Sequence, residues 1–374
     1  MALNLNEIFS PAAIAAYWTN DPTNAQPYAS DALFPARKKV SMELKWLRGH
    51  KGVGVSLKPS VFDAKATFRT RQGIKMTETN MPFFREGTHI DEEDRRKIIS
   101  VLATNQEFAA DVINRVYDDT AQLITGARIV PERMVWQLLA PKTGKPGISI
   151  ESNGVSYVYD YDPDGTWQQS NYKALATKEK WDAPTTATPI ATMTTAANTV
   201  LANTGEIITD AYMNTNTFHK MIAADEIKNR FLTVMKTATA VLVDSEARSV
   251  IEVASGIRIH LYDKMFKPEE TAAAEKYLPD GYVVLAPSGS LGNMYYVATP
   301  EEADLMAGIS NAQVSVVNTG VAVTTEQTVH PVNTNIYVSE IVLPSFERMD
   351  AVYCIKAYQG ERREAAWEIS IPKR

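Results

Sequence analysis

The residues best suited to binding a metal ion are three aspartates at alternate positions, Asp160, Asp162 and Asp164. With Gly165 they match the first half of an EF-hand calcium loop, in which alternate carboxylates converge on a hard cation. The second half does not match, because Pro163 lies at the fourth position and Asn171, not a bidentate glutamate, at the twelfth. The residues before the loop also alternate as in a strand, not a helix. The pattern therefore favours an acidic surface turn over a calcium site.

The other reactive side chains form no known catalytic or metal-binding motif. Neither zinc-protease spacing nor pairing with cysteine is found among the five histidines, which are His50, His89, His219, His260 and His330. The single cysteine, Cys354, lies in a strand-like run, where a thiol behaves as a small buried hydrophobe. Segment 286–292 is a Gly/Ser turn without G-x-S-x-G spacing, and no phosphate-binding glycine loop is present. The sequence predicts no enzyme, no catalytic residue and no cofactor.

A strongly basic segment runs from Arg37 to Lys75. It contains eleven Lys and Arg residues against only Glu43 and Asp63, a local charge of +9 in a chain of formal net charge −6. The remaining residues therefore sum to about −15, so a basic arm is attached to an acidic body. Copies of such a chain are electrostatically complementary to one another.

The pattern within this segment predicts two strands. Apolar residues alternate with polar ones from Val40 to Trp46, the period of two that is typical of a half-buried strand. A glycine-rich turn over 49–54 and a second extended run from Val61 to Phe68 follow. We interpret the segment as a long charged hairpin, which needs support from another part of the fold.

A long amphipathic helix is predicted after the hairpin. Four acidic residues, 91–94, complement the partial positive charge of a helix N-terminus, and Thr88 or Asp91 is available as the N-cap. Apolar residues then recur at spacings of three and four as far as Gly126. The stripe covers roughly 34 residues, or about 50 Å, far above the mean helix length of globular proteins.

The remaining elements are predicted from shorter patterns. A strand is expected over Ile148–Tyr161, with its odd-numbered residues from Val155 onward on one face. The Thr/Ala stretch 185–199 either begins a helix near Ile190 or serves as a linker. Further expectations are a helix over 218–237 and strands over 250–253, 257–262, 281–286, 336–343 and 351–358, the last two returning to the sheet near the long helix.

Length and composition agree with two or three interleaved subdomains that share a sizeable core. The chain has 374 residues, of which 45% are hydrophobic and 22% charged. It has no run of about 18 apolar residues, and its first residues lack the basic region of a signal peptide. The sequence predicts no membrane span and a protein that stays in the cytoplasm until it assembles.

Several of these features together resemble the major capsid protein E family of tailed bacteriophages. They are Leu33-Phe34-Pro35, the basic strand pair with Trp46 and Gly49, the run through Lys58-Pro59-Ser60, and the helix with an acidic start. The resemblance implies an α+β fold of the HK97 type. It also implies five ranges, namely an N-terminal arm (1–35), an extended E-loop (36–88), a P-domain with a spine helix (89–199), an A-domain (200–333) and a return to the P-domain (334–374).

The function implied by the resemblance is that of a major capsid protein. Such a chain assembles with copies of itself, as pentamers and hexamers, into the icosahedral head shell around the phage double-stranded DNA. The implied partners are scaffolding, portal and decoration proteins, with the packaged DNA contacted non-specifically and the virion as the final location. The family has no catalytic residues to transfer.

Two other functions are compatible with the sequence. One is a non-viral HK97-type compartment shell. The other is a DNA-binding protein that uses the basic residues 37–75, interleaved with Trp46, Phe62 and Phe68, to contact phosphates and bases. The net acidity of the chain and its pI near 5.6 argue against a dedicated DNA binder, which tends to be basic overall.

Overall fold

The computed structural model describes residues 9–21, 26–48, 75–104, 106–152, 154–235, 243–269, 271–308 and 313–360. Two compact units are present, and each is built from three separate stretches of the chain. The first unit comprises Met1–Leu138, Gly147–Pro163 and Gly289–Met349, and the second comprises Leu139–Pro146, Asp164–Ser288 and Asp350–Arg374. Both contain helices and strands.

The first unit is built around a six-stranded sheet. The elements before its long helices are α1 (Pro11–Asn20), α2 (Ala29–Leu33), β1 (Ala36–Lys39), β2 (Glu43–Arg48), β3 (Lys75–Asn80) and β4 (Phe83–Ile90). Those after them are α3 (Glu92–Thr104), α4 (Gln106–Leu139), β5 (Gly147–Ser152) and β6 (Val155–Asp160). The last stretch adds β13 (Asn293–Val297), α10 (Pro300–Ala307), β14 (Gln313–Val317), β15 (Val321–Gln327) and β16 (Thr334–Ser345).

Strand β16 is central to this sheet. The strand order is β1-β13-β16-β15-β14, and β4 also pairs with β16. All pairs are antiparallel except β1 with β13. The core of the unit joins apolar residues of the sheet to residues of α1, α3 and α4, including Ile14, Trp18, Ile98, Ile124, Val323 and Ile336.

The long helical region begins as predicted and ends later than predicted. Asp91 accepts a hydrogen bond from the backbone N of Asp94 at 2.7 Å and is therefore the N-cap, whereas Thr88 lies within β4. The helix does not end at Gly126, because α4, which has 34 residues, runs on to Leu139. A Cβ at Gly126 would meet nothing within 4 Å, and buried Met134 and Leu138 extend the apolar stripe beyond it.

The predicted strand over Ile148–Tyr161 is a hairpin. Strands β5 and β6 pair in antiparallel register around Gly154, which has a φ of 77°. The sequence does carry a hairpin signal here, Asn153-Gly154 between two alternating runs, and the prediction of one continuous strand overlooked it. Tyr157, Tyr159 and Tyr161 still share one face, as predicted.

The second unit has its own five-stranded sheet. Its elements are α5 (Thr166–Asn171), β7 (Tyr172–Ala174), α6 (Pro189–Thr204), β8 (Ile208–Met213), α7 (Thr215–Ile222), α8 (Asp225–Met235), α9 (Asp244–Ser255), β9 (Arg258–Leu261), β10 (Met265–Phe266), β11 (Glu275–Lys276), β12 (Tyr282–Pro287) and β17 (Tyr353–Lys356). The strand order is β7-β17-β12-β8-β9. Helices α6, α7, α8 and α9 contribute to its core through residues such as Met193, Phe218, Ile227 and Ile251.

Several predictions for this part of the chain need correction. Residues 250–253 are helical, because Ala247 and Ile251 are buried one turn apart in α9 and Gly256 ends the helix with φ 72°. The helix expected over 218–237 is two helices in its described part. Both strands of the final segment were predicted to return to the sheet beside the long helix. Strand β16 does so, but β17 lies in the sheet of the second unit. The Thr/Ala stretch does form a helix, α6.

Candidate assembly arm

The predicted charged hairpin is present at its base. Strands β2 and β3 pair antiparallel from Glu43 with Asn80 to Arg48 with Lys75, and the backbone N of Met81 donates to the carbonyl of Met42 at 3.1 Å. The predicted second strand, 61–68, lies outside the described residues. Among the described residues, the partner of β2 is the polar run 75–80, which carries no alternating apolar pattern. We call residues 43–80 the assembly arm.

One face of β2 attaches the arm to the first unit. Leu44 is fully buried and Trp46 is 7% exposed, as their alternation predicted. Trp46 lies against the ring of Tyr161, with ring centroids 5.2 Å apart. Val40 and Met42 are exposed, contrary to the predicted pattern, because they lie in the bend between β1 and β2. A two-stranded hairpin is only marginally stable alone, so these contacts fix its base.

Three tyrosines of the β6 region bond the last residue of the arm, the strand that follows it and the central strand of the sheet. The hydroxyl of Tyr159 donates to the carbonyl of Asn80 at 3.0 Å, and that of Tyr157 to the carbonyl of Phe83 at 3.3 Å. Tyr161 donates to the carbonyl of Pro344 in β16 at 2.7 Å. Burial raises the pKa of Tyr159 to about 12, and it also raises the pKa of Tyr161. Both hydroxyls therefore keep the proton that they donate.

Two adjacent glutamates of α10 hold the strands that enter and leave the arm. Glu302 pairs with Lys38 on β1, and Glu301 pairs with Arg85 on β4. The Glu302 side chain is only 4% exposed, so its pair is better shielded from solvent than a surface pair. Thr299, at the N-cap of α10, accepts a hydrogen bond from the backbone N of Glu302. The sequence signals the start of this helix but not the strands that it faces.

Residues of the N-terminal segment, between Trp18 and Asp31, bind to α4 of the same chain. The guanidinium of Arg128 lies over the rings of Tyr28 and Trp18, 4.9 and 5.7 Å from their centroids, and 3.6 Å from the Asp31 carboxylate. A carboxylate oxygen of Glu132 accepts the backbone N–H of Ser30 at 3.0 Å. The sequence analysis did not identify these anchoring residues, since isolated charges on a long helix carry no local signal.

The candidate metal residues of the sequence form a turn. Asp160 ends β6, and its Oδ1 accepts the backbone N of Asp162 at 2.8 Å, an Asx-turn. Asp162 is fully buried, and Asp164 is exposed. Across the described ranges, no three side chains of His, Cys, Asp or Glu lie close enough together to hold a metal ion.

The remaining reactive side chains are separately placed. Cys354 is fully buried in β17, and burial raises the pKa of its thiol. His219 pairs with Asp244 at 3.0 Å and His260 with Asp210 at 2.7 Å, while His50 lies outside the described residues. The Gly/Ser segment 286–292 connects β12 to β13, as a turn between strands was expected to do. In the part of the chain that the structure describes, no helix has the length and hydropathy needed to cross a bilayer.

Solved structures similar to this chain are capsid and phage-related proteins. A putative capsid protein of an Escherichia coli CFT073 prophage has a TM-score of 0.57 at 14% identity, covering 96% of this chain and 100% of its own. A phage-related protein from Bordetella bronchiseptica RB50 has a TM-score of 0.51 at 11% identity, covering 93% of this chain and 97% of its own. The cyanophage A-1(L) capsid protein has a TM-score of 0.50 at 12% identity, covering 90% and 98%. This likeness identifies the fold as the α+β capsid fold of the HK97 type.

The family comparison covers nearly the whole chain. No curated protein sequence matches it. The model of the family described as phage major capsid protein E, however, matches residues 10–357. This is a family of capsid structural proteins that is not known to be enzymatic. The chain therefore belongs to the phage major capsid protein E family, and it is a structural protein of the bacteriophage capsid shell.

Proposed function

We propose that the chain assembles with copies of itself, as pentamers and hexamers, into the icosahedral head shell that encloses the phage double-stranded DNA. The observation that carries this proposal is the fixed base of the assembly arm. Trp46, Tyr159 and Tyr161 bind that base to its own subunit. The sequence between the two strands, 49–74, contains five Lys and Arg residues and one aspartate. A cationic arm on a fixed base suits binding to an acidic neighbouring subunit.

Assembly by such arms gains strength from multiplicity. Each contact between a basic arm and an acidic neighbour is weak and screened by salt. A subunit in a ring makes the same contact twice, once as donor and once as acceptor, and closed rings join these contacts into a network. The shell is therefore expected to form cooperatively and to weaken at high ionic strength.

The family resemblance gives each range a role in this assembly. Residues 1–35 act as the N-terminal arm, 36–88 as the E-loop, and 89–199 with 334–374 as the P-domain that carries the spine helix. Residues 200–333 act as the A-domain, which gathers around the five- and six-fold axes. The compact units divide the chain differently, since Gly289–Met349 belongs to the first unit, and Asp164–Ser288 and Asp350–Arg374 belong to the second. The 34-residue length of α4 supports the role of a spine, because a helix of about 50 Å can support several contacts along one subunit.

The partners proposed for this shell are other virion proteins. A scaffolding protein, a portal protein and a decoration protein fit a shell that must close to a fixed size, take in DNA and withstand its pressure. The packaged DNA contacts the inner wall only weakly and non-specifically, because a chain of net charge −6 repels the DNA phosphates. The subunits assemble in the host cytoplasm, and the protein itself performs no catalysis.

Charge reversal in the arm tests this proposal. Replacing Lys58, Lys65, Arg69 and Arg71 with glutamate is expected to abolish closed shells in light scattering and negative-stain microscopy. The matched control replaces four exposed cations outside both the arm and the A-domain range, Arg96, Lys142, Lys173 and Lys178, and is expected to assemble like the wild type. Normal shells from the arm variant would contradict the proposal. Steeply salt-dependent binding of free DNA by the unassembled wild type would instead favour the DNA-binding alternative.

A further inference from the structure

A buried glutamate lies at the centre of the sheet of the first unit. Glu340 is on β16, directly opposite Val321 of β15 and Phe84 of β4. It is 1% exposed, and neither of its carboxylate oxygens has a hydrogen-bond partner among the described residues. An unpaired carboxylate in such a place is costly when charged, and buried acids are normally paired or neutral.

Apolar residues dominate the surroundings of Glu340. Side chains alternate along a strand, so Glu340 shares a face with Val338 and Ile336. Those two residues belong to the core that joins the sheet to α1 and α4, together with Val321, Ile14, Trp18, Ile124 and Ala127. This environment supplies neither hydrogen bonds nor a counter-charge.

The charged and titratable groups of the packed elements are engaged elsewhere or distant along their strands. Burial raises the pKa of Tyr296 on β13, and the nearby carboxyl groups of Glu340 and of Asp31 on α2 raise it further, whereas Arg128 of α4 acts to lower it. Arg128 itself pairs with Asp31. The other groups are Lys38 of β1 paired with Glu302, Arg85 of β4 paired with Glu301, Glu132 of α4 bonded to Ser30 and Trp136, exposed Glu86 and His89 of β4, and exposed Glu326 of β15 opposite Asn335.

We propose that Glu340 is an uncharged carboxylic acid in the folded subunit and makes the stability of the first unit depend on pH, the sheet loosening as the acid ionises. Burial raises the pKa of Glu340 well above its ordinary value of 4.5. The protonated side chain therefore makes its full contribution to the stability of the fold below its unfolded pKa of about 4.5. That contribution is lost as the pH rises through the raised pKa of the folded state.

The position of Glu340 couples this ionisation to the assembly arm. Strand β4, which follows the arm, pairs with β16 at Glu340 itself. Strand β1, which precedes the arm, joins the same sheet through β13. Loosening β16 therefore loosens both strands that fix the arm. Alkaline conditions are expected to free the arm before they unfold the second unit, which has a separate sheet.

Linkage measurements test the proposal on the full-length chain. Pulse proteolysis in urea from pH 5 to pH 9 gives the unfolding equilibrium constant of the wild type, of Glu340→Gln and of the matched control Glu326→Gln. Between the unfolded pKa and the raised folded pKa of Glu340, the folded state keeps a proton that the unfolded state releases. In this window the unfolding constant of the wild type, divided by that of E340Q, is expected to rise by up to about tenfold per pH unit. E326Q is expected to follow the wild type. Parallel wild-type and E340Q profiles would overturn the proposal.

A second variant and a direct measurement keep the test decisive if E340Q does not fold. Glu340→Met has a similar length and no titratable group, so it is expected to give the same flat profile as E340Q. Infrared spectra at pH 7 are expected to show the carbonyl band of a protonated carboxylic acid in the wild type and in E326Q, and to lack it in E340M. Absence of that band would refute an uncharged Glu340, whatever the variants do.

Discussion

Trp46 of the assembly arm lies against Tyr161, with ring centroids 5.2 Å apart and ring planes inclined by 31°. Tyr161 in turn donates its hydroxyl hydrogen to the carbonyl of Pro344 in the central strand β16. The arm therefore packs on a ring that is itself bonded to the main sheet. The base of the arm is held by its own subunit before any neighbour binds, which lowers the ordering cost of assembly.

Removing the indole is expected to detach the base of the arm. Trp46→Ala leaves a cavity beside Tyr161 and Leu44, with an expected cost of about 3–5 kcal/mol. Hydrogen exchange is expected to show faster exchange across β2 and β3. Met42→Ala is the control, since Met42 is 48% exposed in the same segment and its loss should change the stability by less than about 0.5 kcal/mol. Equal protection in W46A and M42A would show that the contact between Trp46 and Tyr161 does not hold the base of the arm.

The two ion pairs near the arm are expected to differ in strength. Lys38 pairs with the nearly buried Glu302, whereas Lys45 and Glu43 lie 3.3 Å apart with both side chains about half exposed. Double-mutant cycles with Lys→Met and Glu→Gln are expected to give a coupling of about 1 kcal/mol or more for the first pair. For the second pair we expect about 0.3 kcal/mol. A larger coupling for Lys45 with Glu43 would contradict this ranking.

Two glycine substitutions are expected to have opposite effects. Gly126 lies inside α4, and a Cβ there meets nothing within 4 Å, so Gly126→Ala should stabilise the subunit by about 1 kcal/mol. A Cβ at Gly292 would lie 1.8 Å from the carbonyl oxygen of Ser345, so Gly292→Ala should prevent correct pairing of β13 with β16. Thermal melting of both variants measures the contrast, and a destabilised G126A would argue against the helical account of α4.

The second unit is expected to be sensitive to acid through Asp210. Burial acts to raise the pKa of Asp210, but hydrogen bonds from Thr209 and His260 and the charge of Arg258 outweigh it, so the pKa is lowered. The stability from this carboxylate is present above its unfolded pKa, near 3.8, and is lost as the pH falls through the lowered folded value. Asp210→Asn is expected to cost about 1–3 kcal/mol at pH 7 and to remove this part of the acid sensitivity. Unfolding curves from pH 7 to pH 2 measure it, and an unchanged acid midpoint would contradict the assignment.

The sequence predicted the elements whose signals are local. Four acidic residues and an Asp91 N-cap predicted the start of α3, and alternation predicted both the buried face of β2 and the shared face of Tyr157, Tyr159 and Tyr161. These patterns follow directly from the periods of helix and strand. The family resemblance rested on the order of such elements, and the match over 10–357 confirms it.

Apart from the β5–β6 hairpin, the features that the sequence analysis missed depend on tertiary contacts. Strand β3 is polar and exists because it pairs with β2. The run 250–253 is helical because its Ile251 and the preceding Ala247 are both buried, one helical turn apart. A short apolar run does not distinguish strand from helix by itself. Likewise, nothing near Glu301 and Glu302 in the sequence indicates that they face β1 and β4.

The most direct test of the account is assembly of the chain by itself. The full-length protein, expressed alone, is examined by light scattering and negative-stain microscopy at low and at high salt. The account predicts rings, tubes or closed shells of uniform curvature at low salt, and their weakening at high salt. A clean monomer that remains stable at high concentration under both conditions would contradict self-assembly through a basic arm.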